Sequence, residues 1–405
     1  MALLPVDEAL QRLLGGAATL PGETLPLHEA AGRVLAEPIS AKRTQPPFDA
    51  SAMDGYAVRA SDVAKLPATL AVIGEAAAGR RFNGTLEAGQ AVRIFTGAPV
   101  PDGADAILLQ EDARVVADGS VEPLESVSTG RHIRKAGLDF RNGDALLPAG
   151  RLLDPAALSL AAAANHPNLP VIARPRVAIL ATGDELLPPG AEPGPDQIIA
   201  SNGFGVGALV HADGGVPLDL GIVPDRHEAI ANAVTKAKTA GAHIIVTLGG
   251  ASVGDHDLVH GVLTGLGMSL DFWKIAMRPG KPLMVGKLDD THVLGLPGNP
   301  VSSLVCAHLF LRPLVARLGG REFVPPLRTA VLGQAMKAND HRRDYVRAKL
   351  VEGSGPPVAQ AFATQDSSML RTLADANCLI VREAHAPEAH QGDPCQVLML
   401  RSFTG

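Results

Sequence analysis

Apolar residues near the start recur at Val6, Ala9, Leu10, Leu13 and Leu14, the spacing that lines one face of a helix. Asp7 and Glu8 in the first turn and Gly15-Gly16 at the stop suit the polarity of that helix, which predicts a short amphipathic segment. From Leu25 to about Leu147 the pattern changes to short apolar runs. Ala91-Val92-Arg93-Ile94-Phe95 and Ala106-Ile107-Leu108-Leu109 are examples, separated by Gly, Pro and Asp turns, so this stretch reads as mainly β. Asp154-Pro155 then offers an N-cap followed by proline at the first helical position, opening an Ala-rich helix from Ala156 to Ala164 that stops before Pro167.

Between Arg176 and Gly320 strands and helices alternate. Strands are predicted at Val177 to Leu180, Leu218 to Ile222, Ile244 to Leu248 and Val293 to Leu296, with helices from about Ser201, after Pro224-Asp225 and from about Asp257. A long helix follows in which Val301, Leu304, Val305, His308 and Leu309 share a face. Such alternation predicts a doubly wound, parallel α/β sheet. Pro325-Pro326 marks a linker, and the short alternating strands beyond it predict a small all-β, barrel-like domain.

Length agrees with several cores. Single cores stop growing near ~250 to 300 residues, whereas this chain has 405, of which 46% are apolar and 19% charged. The expected division is a discontinuous N-terminal helical and linker domain (residues 1–24, about 42–50 and 140–172), a mainly-β domain (25–139), the α/β domain (173–322) and a C-terminal β domain (323–405). No run of about 18 uncharged apolar residues occurs, and the start lacks the pattern of a signal peptide, so a cytoplasmic protein without a membrane partner is expected. A formal charge of −6 argues against a nucleic-acid surface, which needs clustered Lys and Arg. Cys306, Cys378 and Cys395 are spaced for neither a disulfide framework nor a thiolate metal site.

Candidate chemistry gathers where strands end, because open parallel sheets bind ligands at the carboxyl edge. Those loops carry Thr182-Gly183-Asp184-Glu185, Pro224-Asp225, Gly249-Gly250-Ala251-Ser252-Val253-Gly254-Asp255 and Pro297-Gly298-Asn299-Pro300, the last opening a helix with Ser302. The glycines allow close backbone approach to a phosphate, and a helix start suits an oxyanion. Asp184, Glu185, Asp225 and Asp255 converging on one cleft would repel such an anion. A hard divalent cation such as Mg²⁺ resolves that conflict, with Asp255, Glu185 and Asp225 as its candidate ligands. Lys274, Arg278 and Lys281 around the Pro279-Gly280 turn supply local positive charge. Asp225 as a mere helix cap and the basic loop as a solvated turn remain open alternatives, and no histidine is assigned a catalytic role.

Taken together, Ser51-Ala-Met-Asp54-Gly-Tyr56-Ala, Thr96-Gly-Ala-Pro99, Thr182-Gly-Asp-Glu185-Leu, Gly249-Gly-x-Ser-Val-Gly-Asp255, Pro279-Gly-Lys281-Pro and Pro297-Gly-Asn-Pro300 resemble the MoeA and gephyrin E-domain family. The resemblance implies a four-domain homodimer whose α/β domain is of the molybdopterin-binding type. Each active site would lie between the α/β domain of one subunit and the N-terminal domains of the other. It implies an enzyme that inserts molybdenum from molybdate into adenylylated molybdopterin with Mg²⁺, releasing AMP, and a possible partner in the upstream adenylyltransferase. Asp54, Asp139, Glu185, Asp225 and Asp255 would then be catalytic, and Thr96, Thr182, Asn202, Gly249, Gly250 and Ser252 would bind substrate. Lys274, Arg278, Lys281, Pro297, Pro300 and Ser302, with Arg342 or Arg347 of the last domain, would hold molybdate. Two departures stand out: Arg278 where many relatives have Lys, and Asp366 and Ser368 flanking Ser367 where relatives place glycines. An ATP-dependent adenylyltransferase and a non-catalytic pterin-binding scaffold are the rival readings.

Overall fold

A computed structural model describes residues 3–116, 118–250 and 258–401. The chain divides into two units, one of residues 1–23, 32–34 and 171–405, the other of residues 24–31 and 35–170.

Helix α1 (Val6–Gly15) begins the first unit, and its buried Val6, Ala9 and Leu13 join a core with Phe310, Leu311 and Leu314. In the second unit, β1 (Gly55–Val58), β2 (Ala71–Ala76), β3 (Gln90–Ile94) and β4 (Ala106–Leu109) form a sheet in the order β2-β3-β1-β4. Only β2 and β3 run parallel. Strand β1 is buried along its whole length because both faces are covered: Tyr56 and Val58 enter one core, Ala57 the other. Helix α2 (Pro155–Ala163) starts as its sequence predicts, with the Asp154 carboxylate accepting from the Ala157 amide at 2.8 Å.

The first unit continues through β5 (Arg176–Thr182), α3 (Asn202–Ala212), β6 (Val216–Val223), α4 (His227–Thr239), β7 (Ile244–Leu248), α5 (Leu258–Gly265), β8 (Ser269–Phe272), β9 (Met284–Leu288), β10 (Thr291–Leu296) and α6 (Pro300–Leu318). The sheet order is β6-β5-β7-β10-β9-β8. The first four strands are parallel; β9 pairs antiparallel with β10, and β8 pairs antiparallel with β9, so β8 again runs the way of the first four. That extension goes beyond the purely parallel sheet expected. It arises because β9 and β10 are joined by Asp289-Asp290 alone, with Asp289 at φ +53°, a turn too tight for any crossover. Alternate residues of β5 face opposite cores, Val177 and Ile179 towards α1, α3 and α6, Ala178 and Leu180 towards α4 and α5. Helix α6 contains a π turn at Ala307–Leu311 and is long and apolar enough to cross a bilayer. Its apolar window is 72% buried in the protein, so the core accounts for that composition.

Strands β11 (Leu327–Leu332), β12 (Arg343–Val351), β13 (Val358–Ala361), β14 (Cys378–Arg382) and β15 (Pro394–Met399) close a five-stranded barrel in the order β12-β13-β11-β15-β14, with β14 returning to β12. Helix α7 (Leu370–Asp375) interrupts it between β13 and β14. The two-residue strand Met277–Arg278 pairs with β12. Arg343 at the start of β12 donates to both carboxylate oxygens of Asp7 in α1, at 2.7 and 2.8 Å.

Candidate active site

The carboxyl ends of β5, β7 and β10 open onto a cleft of about 680 Å³ in the first unit. Its floor is made by residues that only small side chains permit. A Cβ on Gly249, which has φ +95°, would lie 2.8 Å from the Thr182 carbonyl oxygen. One on Gly250 would lie 2.2 Å from Val259. The two strand ends can therefore approach only as glycine. Thr182 lies between them, 5% exposed, and its hydroxyl has no hydrogen-bond partner among the described residues.

One wall is acidic. The amide of Asp225 donates to the Asp184 carboxylate at 3.1 Å, and Glu185 folds back over Gly183. Partial burial, then the negative charges of Asp184 and Glu185, raise the Asp225 carboxyl above the ordinary carboxylate range. Asp225 does not cap α4, whose N-cap is Arg226. Lys281 is the cation among the described lining residues. The outer wall is apolar: Leu186 and Leu187 pair with Ile198 and Ile199, and Ile198 remains 57% exposed. At the start of α6, Asn202 donates to the Gly298 carbonyl at 2.8 Å and Pro297 to Pro300 line the cleft. Val301, an N-terminal amide of α6 open to an oxyanion by sequence, is taken by the Ser367 carbonyl at 3.0 Å.

A cleft at a switch in strand order with glycine-rich strand ends fits many activities, and comparison with known proteins decides among them. Residues 4–165 match the MoeA N-terminal region (domains I and II), 178–317 the probable molybdopterin-binding domain, and 329–400 the MoeA C-terminal region (domain IV). The chain is 36% identical to a molybdopterin molybdenumtransferase of Haemophilus influenzae over 396 residues, covering 96% of this chain and 97% of that protein. A Nostoc protein of the same name is 41% identical over 370 residues, with 89% and 84% covered. The molybdopterin biosynthesis MoeA protein of Pyrococcus horikosii superimposes with a TM-score of 0.84 at 30% identity, covering 99% of this chain and all of that one. The chain belongs to the molybdopterin molybdenumtransferase (MoeA) family.

This MoeA-family chain, a transferase, brings Thr182, Glu185, Asn202, Asp225, Gly249, Gly250, Lys281, Pro297 and Pro300 into the one cleft. Ser252 and Asp255 lie outside the described residues. Five other residues assigned to the same site are placed elsewhere in this unit. Arg278 pairs with Asp344 and, at 3.5 Å, with Asp340, while Arg342 holds Asp340 at 2.8 Å. Lys274 offers its carbonyl to Leu4, Ser302 is buried in α6, and Arg347 is 1% exposed inside the barrel. In the second unit, Thr96 donates through its amide at 2.7 Å and its hydroxyl at 2.8 Å to one oxygen of Asp54, which lowers that carboxyl. Asp139 is exposed there. Sequence reasoning missed Ile198, Ile199 and Ser368 as lining; the paired apolar residues 198–199 between turn-rich runs were the signal for a short strand.

Proposed function

We propose that this chain transfers molybdenum from molybdate into adenylylated molybdopterin, using Mg²⁺ and releasing AMP. The observation that carries the reading is that Glu185 and Asp225, with Asp184 beside Asp225, meet at a cleft that Lys281 and glycine-rich backbone also line. A carboxyl whose proton affinity is raised by burial and by two neighbouring carboxylates, as that of Asp225 is, marks a local deficit of positive charge, and a hard divalent ion shared with a phosphate corrects it. No three such side chains among the described residues are grouped as a complete metal cage. Glu185 and Asp225, with Asp255, would hold Mg²⁺, which when bound supplies Lewis-acid polarisation of the phosphoanhydride. Lys281 and the amides of Gly250, Gly298 and Asn299 would orient the anionic cargo. A molybdate oxygen or water attacks the pterin-side phosphorus, the anhydride bond breaks and AMP leaves with the electron pair; the two dithiolene thiols then displace oxygens from molybdenum, which depart as water or, for an oxygen that attacked, stay on the pterin phosphate. Homodimerisation, a cytoplasmic location and receipt of substrate from the upstream adenylyltransferase belong to the same proposal and rest on family membership.

The test is AMP release by purified protein supplied with adenylylated molybdopterin. Release should require both molybdate and Mg²⁺, and Asp255→Ala should abolish it with the fold intact. Equal release without molybdate, or in excess chelator, would overturn the reading.

A further inference from the structure

Arg33, Arg174 and Arg321 line a void of about 10 Å³ in the first unit. Strands β5 and β6 begin beside it, just after Arg174-Pro175 and Gly214-Gly215, so it lies at the opposite end of the sheet from the cleft. A space of that size holds one water-sized atom or ion and no larger group. The charges around it do not cancel. Arg33, 6% exposed, pairs with Glu23 and donates to the Ile172 carbonyl at 2.7 Å. Asp213, the one carboxylate of the described lining, is held by Nε and Nη2 of Arg312 at 2.8 and 3.0 Å. Arg321 donates to the Gly32 carbonyl, and the Arg174 guanidinium has no hydrogen-bond partner among the described residues. Four guanidiniums thus share two carboxylates. Burial above all, with the charges of Arg174 and Arg33 adding and Asp213 offsetting part, holds the Arg321 guanidinium below its ordinary range.

The backbone is shaped to admit this excess charge. A Cβ on Gly214, at φ +86°, would lie 2.4 Å from Arg321 Nη2, so only glycine lets the guanidinium come so close. Helix ends do not call for these donors: the last carbonyls of α3 (Leu209, Val210, His211) and of α6 (Val315, Ala316, Arg317) already accept backbone amides.

We propose that this pocket binds a single monatomic anion, chloride, held by the guanidiniums of Arg33, Arg174 and Arg321, and that the ion ties residues 32–34 and 172–175 to the ends of α3 and α6. A polyatomic oxyanion such as phosphate needs more room than the void offers, and a neutral water would leave the repulsion among the arginines in place.

The test uses the full-length protein, freed of halide in sodium gluconate, with sodium chloride exchanged in at constant ionic strength. Thermal unfolding of the first unit is followed through Trp273 for the parent, Arg174→Gln and Arg321→Gln. Exchange to about 100 mM chloride should raise the parent midpoint by roughly 3 °C more than that of either variant. In gluconate alone Arg174→Gln should match or exceed the parent, because an uncompensated cation is gone, and chloride should reverse that order. Arg174 donates to no described group, so its variant carries the test if Arg321→Gln does not fold. Crystals soaked in bromide should show one anomalous peak within hydrogen-bond reach of Arg174 and Arg321. The proposal is overturned if chloride moves the parent and Arg174→Gln midpoints equally, if phosphate protects the parent where chloride does not, or if bromide is absent from the pocket.

Discussion

Replacing Gly249 by alanine probes the closeness of the strand ends that floor the cleft. At φ +95° a side chain costs about 1 to 2 kcal/mol. The new Cβ also meets the Thr182 carbonyl at 2.8 Å, and that oxygen belongs to the end of a strand buried in the sheet, so it cannot swing aside as a side-chain tip would. Relief must come from Gly249 itself, whose amide reaches the Leu296 carbonyl at 3.2 Å. Weakening that bond adds about 0.5 to 1.5 kcal/mol. The sum, roughly 2 to 3 kcal/mol, is assayed by urea unfolding followed through the single tryptophan, Trp273, which packs against the sheet core of the first unit and so reports that unit. With a slope of about 3 kcal/mol/M the midpoint should fall by roughly 1 M. Gly261→Ala is the control: it lies within α5 with nothing within 4 Å of its new methyl, and should stabilise by about 0.5 to 1 kcal/mol. A Gly249→Ala midpoint within about 0.2 M of the parent would refute the argument that these strand ends require glycine.

Asp225 has a raised carboxyl pKa, so the folded state binds its proton more tightly than the unfolded state, and stability falls as pH rises from about 4 through the raised value. In metal-free protein at pH 7, Asp225→Asn should raise the unfolding free energy read from urea denaturation, by no more than about 1 kcal/mol because the group is largely exposed, and added Mg²⁺ should erase the difference. His292 and His308 behave oppositely: burial above all, helped by Lys287 and Arg312 respectively, pushes both down to about 4. Stability should therefore be intact above about pH 6.5 and lost towards pH 4, by up to roughly 2 kcal/mol per histidine at pH 5, and His292→Asn should flatten the midpoint-versus-pH curve. Arg278→Ala strands Asp344, whose second oxygen is already buried without a partner. It should lower stability by about 1 to 3 kcal/mol and leave the molybdate KM within about twofold; a large selective rise in that KM would restore Arg278 as an anion contact.

The amphipathic spacing of Val6 to Leu14, the Asp154-Pro155 cap and the alternation of runs from Arg176 to Leu296 were legible because each is a local preference that burial reinforces. The strand-end loops were legible for the same reason, and Thr182, Glu185, Asp225, Gly249 and Lys281 do share one cleft. Charge assignment was less transparent. Arg278, Lys281, Arg342 and Arg347 look alike along the chain, and what separates them is which acids and carbonyls come near. Asp340 and Asp344 claim two of these arginines, and the barrel core claims Arg347.

Local pattern by itself thus determined where helices and strands form and which loops carry glycine, hydroxyl and carboxylate, since backbone propensity and hydrophobic period act over a few residues. Only tertiary structure decided that β9 would run antiparallel to its neighbours along the edge, that a serine from the barrel would take an amide of α6, and that Lys281 would line the cleft while Arg278 and Arg342 were paired with acids. Those outcomes depend on which groups meet across long sequence separations, and a guanidinium's role is set by the acceptors that reach it rather than by the residue that bears it.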